Sequence, residues 1–522
     1  MLDKHNRAVY LRYQSWNDFL LNGSSSILLV VLYLLNYLYK KEKRFEVMKR
    51  YLFLLPVLLI LLSGFTVATT GVSRTSGTVK SSCVSSTGTT TLHGTLGGAN
   101  YTIAVPSNWN GTLALYSHGY VSPTVPLDNP APDAPDALAA NKLLQEGYAL
   151  VGSSFSQNGW AVQQAFHDQI ALFDFFVQTC GHPVRTVPWG RSMGGLITAG
   201  LVQLYPERFV GALPMCGLLA GGIGQFNPQL DSLFAFNLLL ANGSLQVAHF
   251  TDPVGTYKQA ESILTAAQQT PQGKARTALF TALDDLPGWF TPGSPEPASN
   301  DYAAREHNQY QAAQFDFALY ILAQAEVEAR AGGTPSWNTG VDYSQQLQKS
   351  VDHQEVEALY KQAGLSLKQD LDTIENAPRI KADPQAVNYV TKYIVFNGDL
   401  NIPVLTMHTT GDTLAVVPTE QAYASVVQAE GNSNLLRQIF VHRAGHCAFT
   451  PSEEVAAFHT LINRLDTGKW NNSTDPDLLN QQAAALGPTY NVLPPTYTTV
   501  VPPAFLTYQP APFLRPYDIR DR

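Results

Sequence analysis

The chain has 522 residues, of which 45% are apolar and 14% charged, with a formal net charge of −8. That length exceeds a single compact core and points to two packed parts. An acidic balance with no basic stripe in the body of the chain excludes nucleic acid as a partner, and a surface this poor in charge is usual for exported enzymes.

The N-terminus holds two apolar blocks. Ile27–Tyr39 is too short for a comfortable membrane span, and the basic run Lys40, Lys41, Lys43, Arg44, Lys49 and Arg50 follows it. Read from Met48, "MKRYLFLLPVLLILLSGFTVATTG" has the basic start, apolar middle and small-residue exit of a secretory signal, with Thr66 and Ala68 before the cut. Translation is therefore expected to start at Met48, with Met1–Val47 an extension outside the working protein and 48–68 a signal peptide. The destination is extracellular or periplasmic. The alternative is a two-pass anchor, in which case an uncleaved N-terminal segment is the only membrane contact; Pro56 and Gly64 interrupt its second block. Residues 69–90, rich in Ser, Thr and Gly, read as a linker. Cys83, Cys180, Cys216 and Cys447 make an even count in an exported chain, which suggests two disulfides with three pairings open.

Residues 91–216 alternate short apolar runs with helical patterns. "YTIAVP" (Tyr101–Pro106), "TLALYS" (Thr112–Ser117), "ALVGSS" (Ala149–Ser154), a run ending at Trp189, and "FVGALPMC" (Phe209–Cys216) read as strands. Helices are predicted over Asp136–Glu146, Ala161–Gln178 and Met193–Leu204. This alternation predicts an α/β fold with a mostly parallel sheet. Residues 217–400 are Gln- and Ala-rich and helical in pattern, including one long helix over Asp301–Ala331. Sheet-like sequence resumes at Pro403–Thr410 and Arg437–His442, so the helical block reads as a cap inserted between core parts 91–216 and 401–466. Residues 467–522, rich in Pro and Tyr, read as an extended tail packed on the surface.

"VPWGRSMGG" sets Ser192 at a strand-to-helix junction between Gly190 and Gly194. A nucleophile elbow needs small flanking residues, and its helix N-terminus leaves N–H groups free to bind an oxyanion. Met193 follows the serine and supplies one such N–H. A serine hydroxyl needs a base. His446 lies in a short loop after the last strand, before a helix that opens with a Thr450-Pro451-x-Glu453 capping box. His167, His408 and His442 lie inside elements and have weaker claims. The imidazole needs an acid, and Asp412 stands just past a strand end beside Gly411. The His118-Gly119-Tyr120 turn after an early strand offers the Tyr120 N–H as the second oxyanion donor.

"SHGY", "GRSMGG", "YPERFVGAL", "TTGDTLAVVP" and "AGHCAFTPSE" together make the chain similar to the α/β-hydrolase superfamily, in the order Ser192, Asp412, His446. The resemblance implies an α/β-hydrolase fold with an inserted helical cap, and a serine carboxylesterase or lipase acting on a small-molecule or polymeric ester without metal or cofactor. His446-Cys447 also resembles the tannase and feruloyl esterase group, whose histidine-adjacent cysteine is disulfide-bonded to one before the serine; here that position is Arg191. The resemblance implies a bond at Cys447 with Cys216 as substitute partner, and Cys83–Cys180 is the accompanying pair expected. Trp160, Trp289 and Phe290 are candidate pocket walls. The alternative activity is a peptidase of the proline-aminopeptidase type, which needs cap carboxylates for a substrate amine. A catalytically dead binding protein would lack a triad member, and none is missing.

Overall fold

The computed structural model describes Cys83 and residues 85–517. The expected extension and signal peptide lie outside these residues. Chain order begins with β1 (Thr89–Leu96), β2 (Ala99–Pro106), β3 (Thr112–Ser117), α1 (Ala137–Gln145), β4 (Ala149–Ser153), α2 (Val162–Cys180), β5 (Arg185–Arg191), α3 (Met193–Leu204) and β6 (Leu213–Met215). After a helical insertion come β7 (Val404–Gly411), α13 (Pro418–Ala429), β8 (Leu436–Ala444), α14 (Pro451–Thr467) and α15 (Pro476–Ala485).

The sheet has nine strands in the order β1-β2-β4-β3-β5-β6-β7-β8, completed by the short strand Phe505–Leu506. β2 runs antiparallel to β1 and β4, whereas β4-β3-β5-β6-β7-β8 are mutually parallel. This is the α/β-hydrolase fold. The central strands β3 and β4 are buried at every residue, because parallel strands covered on both faces need apolar side chains on both. One face carries α2 and α3, packing Phe166, Phe176, Leu196 and Ile197 into one core. The other carries α1 and α14, packing Leu143, Trp189, Phe458 and Leu461 into another.

β1 starts at Thr89, inside the segment read as linker. Its alternating exposed and half-buried pattern is that of an edge strand, and its threonines lack the apolar signal of a core strand. The predicted strand Phe209–Cys216 shortens to Leu213–Met215, with pairing to β7 at Met215–Met407 and a separate bridge at Ala212–Val404.

Between β6 and β7 lie α4 (Gly221–Leu239), α5 (Pro253–Ala267), α6 (Pro271–Ala282), α7 (Tyr302–Phe317), α8 (Gln324–Ala331), α9 (Tyr343–Lys349), α10 (His353–Ala363), α11 (Leu367–Asn376) and α12 (Pro384–Lys392). Their apolar faces form a separate core around Leu233, Phe236, Phe280, Phe317 and Tyr360. The helix expected over Asp301–Ala331 is realised as α7 and α8 joined by a π-helical stretch, Ala318–Ala323. Such turns widen a helix and recur at functional sites. The tail is more than surface packing: Phe505–Leu506 closes the sheet edge, Phe513 enters the insertion's core, and Arg515 pairs with buried Asp231. Among the described residues no helix is long and apolar enough to cross a membrane.

Candidate active site

Ser192 occupies the turn between β5 and α3 with φ 60° and ψ −126°, a backbone state that a serine adopts only when its surroundings enforce it. Those surroundings are visible in the flanking glycines. A Cβ on Gly194 would sit 2.0 Å from the Ser117 carbonyl oxygen, and one on Gly190 would sit 2.5 Å from the same atom. Only glycine lets β3, β5 and α3 approach this closely. Ser192 N–H donates to the Met215 carbonyl at 3.0 Å, which fixes the turn against β6.

The elbow is anchored on its other side by Arg191, which pairs with buried Glu454 of α14 and with Asp136, 3.6 Å away at the N-cap of α1. Where the resembling group has a cysteine before the serine, this chain has a buried ion pair. Burial works against the Glu454 charge, and the Arg191 guanidinium beside it opposes that shift.

His446 reaches Ser192 from the loop after β8. Its Nε2 lies 2.7 Å from Ser192 Oγ, and its Nδ1 lies 2.9 and 2.8 Å from Asp412 Oδ1 and Oδ2. Asp412 is fully buried at the end of β7, and its Oδ1 also accepts the Leu414 and Ala415 N–H groups, each at 3.0 Å. Burial alone would raise the Asp412 pKa. The charges and hydrogen bonds of His446 and His408 outweigh it and hold the carboxyl well below the usual range. The His446 loop is tied to β7 by Gly445 N–H donating to Gly411 at 2.8 Å and by Thr409 Oγ1 donating to Gly445 at 2.8 Å. The capping box at the start of α14 is present in both directions.

Disulfides join Cys83 to Cys180 and Cys216 to Cys447. The second links the end of β6 to the residue after His446, across 231 positions of sequence. Closing so long a loop removes about 5 kcal/mol of unfolded-chain entropy. A Cys216→Ala/Cys447→Ala variant is expected to lose about 2–5 kcal/mol of unfolding free energy in a urea titration, and to lose kcat before KM changes, because His446 loses its adjacent anchor.

Tyr120 and Met193 both face the space above Ser192. Met193 is the first residue of α3, so its N–H has no carbonyl partner within the helix. The loop bearing Tyr120 comes close enough that a Cβ on Gly119 would lie 3.3 Å from Ser192 Cβ. His118 is buried behind that loop, stacked on Phe155 at 4.0 Å, with Nδ1 donating to the Gly119 carbonyl at 2.7 Å. Burial lowers its pKa, so it serves the loop as a neutral ring.

Ser192 and His446 open into a pocket of about 590 Å³. Trp160, Leu218, Phe226, Tyr257, Phe315 and Leu319 supply its apolar walls, and Gln225, Gln229 and Gln314 supply amides. No Asp, Glu, Lys or Arg is among its described lining residues. The structure brings Trp160 to the pocket but not Trp289 or Phe290. Trp289 donates its indole N–H to Ser294 at 3.1 Å and packs beside His442. Phe290 leans on the insertion's own core, with its N–H bonded to Asn308. Sequence reasoning missed Phe226 and Gln229, because α4 is buried almost all round and carries no amphipathic signal. It also passed over His408, whose position inside a strand gave no hint that it faces Asp412. Among the described residues no group of three or more His, Cys, Asp or Glu side chains is arranged to hold a metal ion.

No family model matches the chain. It is 28% identical to o-phthalyl amidase of Xanthobacter agilis over 424 residues, which cover 74% of this chain and 89% of the relative. Among solved structures, feruloyl esterase B of Aspergillus oryzae is 16% identical with a TM-score of 0.37, over 72% of this chain and 80% of that one. The rice cell wall degrading esterase LipA of Xanthomonas oryzae is 12% identical with a TM-score of 0.32, over 74% and 86%.

Proposed function

We propose that the protein is a secreted serine hydrolase that cleaves carboxylic esters through an acyl-enzyme. The observation that carries this reading is the unbroken Ser192–His446–Asp412 hydrogen-bond chain at an apolar pocket. His446 Nε2 takes the Ser192 proton as Oγ attacks the carbonyl carbon, and Asp412 stabilises the resulting imidazolium. The Met193 and Tyr120 N–H groups receive the oxyanion. His446 then gives its proton to the departing alkoxide. Next it takes one from water, whose oxygen attacks the acyl carbon, and it returns that proton to Ser192 Oγ as the acyl–Oγ bond breaks and the acid leaves. Two disulfides suit a chain folded in an oxidising compartment, which supports export.

A second reading, cleavage of amides by the same steps, is supported by the likeness to o-phthalyl amidase. The aminopeptidase reading is weakened by the neutral pocket, since a substrate ammonium would find no carboxylate there. Glu326 accepts the Trp160 backbone N–H at 2.7 Å and is paired with Arg330.

The pocket favours neutral, bulky or aromatic acyl groups. The test of function is turnover of p-nitrophenyl esters, acyl p-nitroanilides and aminoacyl p-nitroanilides of graded size. Ester turnover is expected. Turnover of aminoacyl anilides alone would replace this reading with the peptidase.

A further inference from the structure

His408 is fully buried on β7, four residues before Asp412, and touches no part of the pocket. Its Nδ1 lies 3.0 Å from Glu420 Oε1, and its Nε2 lies 2.7 Å from the Ala415 carbonyl oxygen and 3.5 Å from Asp412 Oδ2. A neutral imidazole has one N–H and one lone pair. In either neutral tautomer, a lone pair would face an oxygen acceptor in a dry interior, which is costly. Opposite an ionised Glu420, only a ring carrying both protons satisfies both sides. Glu420, also fully buried, supplies the counter-charge, and its Oε2 accepts from Thr406 Oγ1 at 2.6 Å and Gln438 Nε2 at 2.5 Å.

We propose that His408 is a positioning residue, protonated at neutral pH and neutralised by Glu420, that holds the Asp412 carboxylate ionised and aimed at His446. The proposal rests on reading Ser192, His446 and Asp412 as the triad. His408 touches neither substrate nor reacting atoms and acts through Asp412. Asp412 Oδ1 has two backbone donors besides His446, whereas among the described residues Oδ2 faces the two imidazoles alone. His408 is thus the one fixed charge on that oxygen when His446 is neutral. The charged groups around it are Asp412 at the end of its own strand, Glu420 on α13 and His446 beyond Asp412 on the β8–α14 loop. Buried Asp316 of α7 interacts electrostatically with Asp412 from the insertion. Burial alone would lower the His408 pKa, but hydrogen bonds and charge from Asp412 and Glu420 raise it to about 10. A raised pKa means that the contribution to stability is complete below the ordinary value of 6.5 and is lost as pH rises through about 10.

The direct test is nitrogen NMR of the full, folded protein with labelled histidine. At pH 8 both His408 ring nitrogens are expected to be protonated, and a neutral His408 tautomer at that pH would overturn the proposal. The functional test is His408→Gln, confirmed folded by circular dichroism. With the cation gone, protonated His446 is less repelled. The acid limb of the kcat profile should therefore move up by about half a pH unit or more, and kcat should fall about tenfold at constant KM. A contribution to folding alone would lower the melting temperature and leave the acid limb in place, which would also overturn the proposal. The triad reading fails separately, if Ser192→Ala keeps ester turnover whatever His408→Gln does. If His408→Gln does not fold, the nitrogen shifts of the unaltered protein decide the matter.

Discussion

Ser192→Ala is expected to lower kcat for p-nitrophenyl esters by roughly 10⁴-fold or more, with KM changed by no more than a few-fold. Among the described residues lining the pocket, Ser192 is the hydroxyl that a histidine engages, with His446 Nε2 2.7 Å from its oxygen. Removing it deletes the acyl-enzyme but leaves the walls that bind substrate. The Met193 and Tyr120 N–H groups remain, so a residual rate above the uncatalysed reaction should persist through oxyanion stabilisation alone. The fold should survive, because the strained turn is enforced by the close packing of Gly190 and Gly194 on β3, not by the side chain. Steady-state kinetics with unchanged circular dichroism checks this result. Wild-type turnover in the variant would contradict it.

Asp412→Asn should cost about 10³–10⁴-fold in kcat, for a reason specific to this site. The Leu414 and Ala415 N–H groups would hold the amide oxygen, which directs the NH₂ toward His446 Nδ1 and His408 Nε2. An NH₂ facing His446 Nδ1 selects the tautomer with its proton on Nε2, which cannot accept the serine proton. The same NH₂ would replace the carboxylate charge facing His408, whose Nε2–H keeps the Ala415 carbonyl as its acceptor. KM should stay within a few-fold. The kcat measured from pH 6 to 10 checks the origin, because the loss should ease at high pH as hydroxide takes over the role of base.

The candidate triad and the sheet were legible in the sequence because each signal is local. An elbow needs glycines beside Ser192, parallel strands need unbroken apolar runs, and the helix after His446 announces itself by Thr450, Pro451 and Glu453. What was hidden depends on tertiary neighbours. β1 is threonine-rich and half exposed, so it resembled the linker before it. The wall from α4 has no polar face to betray its orientation, and the π-helical stretch at Ala318–Ala323 has no composition of its own. Trp289 and Phe290 misled because an aromatic pair beside proline and glycine satisfies itself as readily against its own loop as against a substrate. Arg515 meets Asp231 from 284 positions away, a separation that no spacing rule bridges.

Catalysis by the proposed route requires that Ser192 be acylated. Treating the folded protein with a fluorophosphonate, which esterifies an activated serine hydroxyl, and mapping the adduct by peptide mass spectrometry tests it directly. One adduct per chain is expected, on the peptide containing Ser192, with activity lost in step and no labelling of Ser192→Ala. An adduct on another residue accompanied by loss of activity, or full turnover with Ser192 modified, would contradict it.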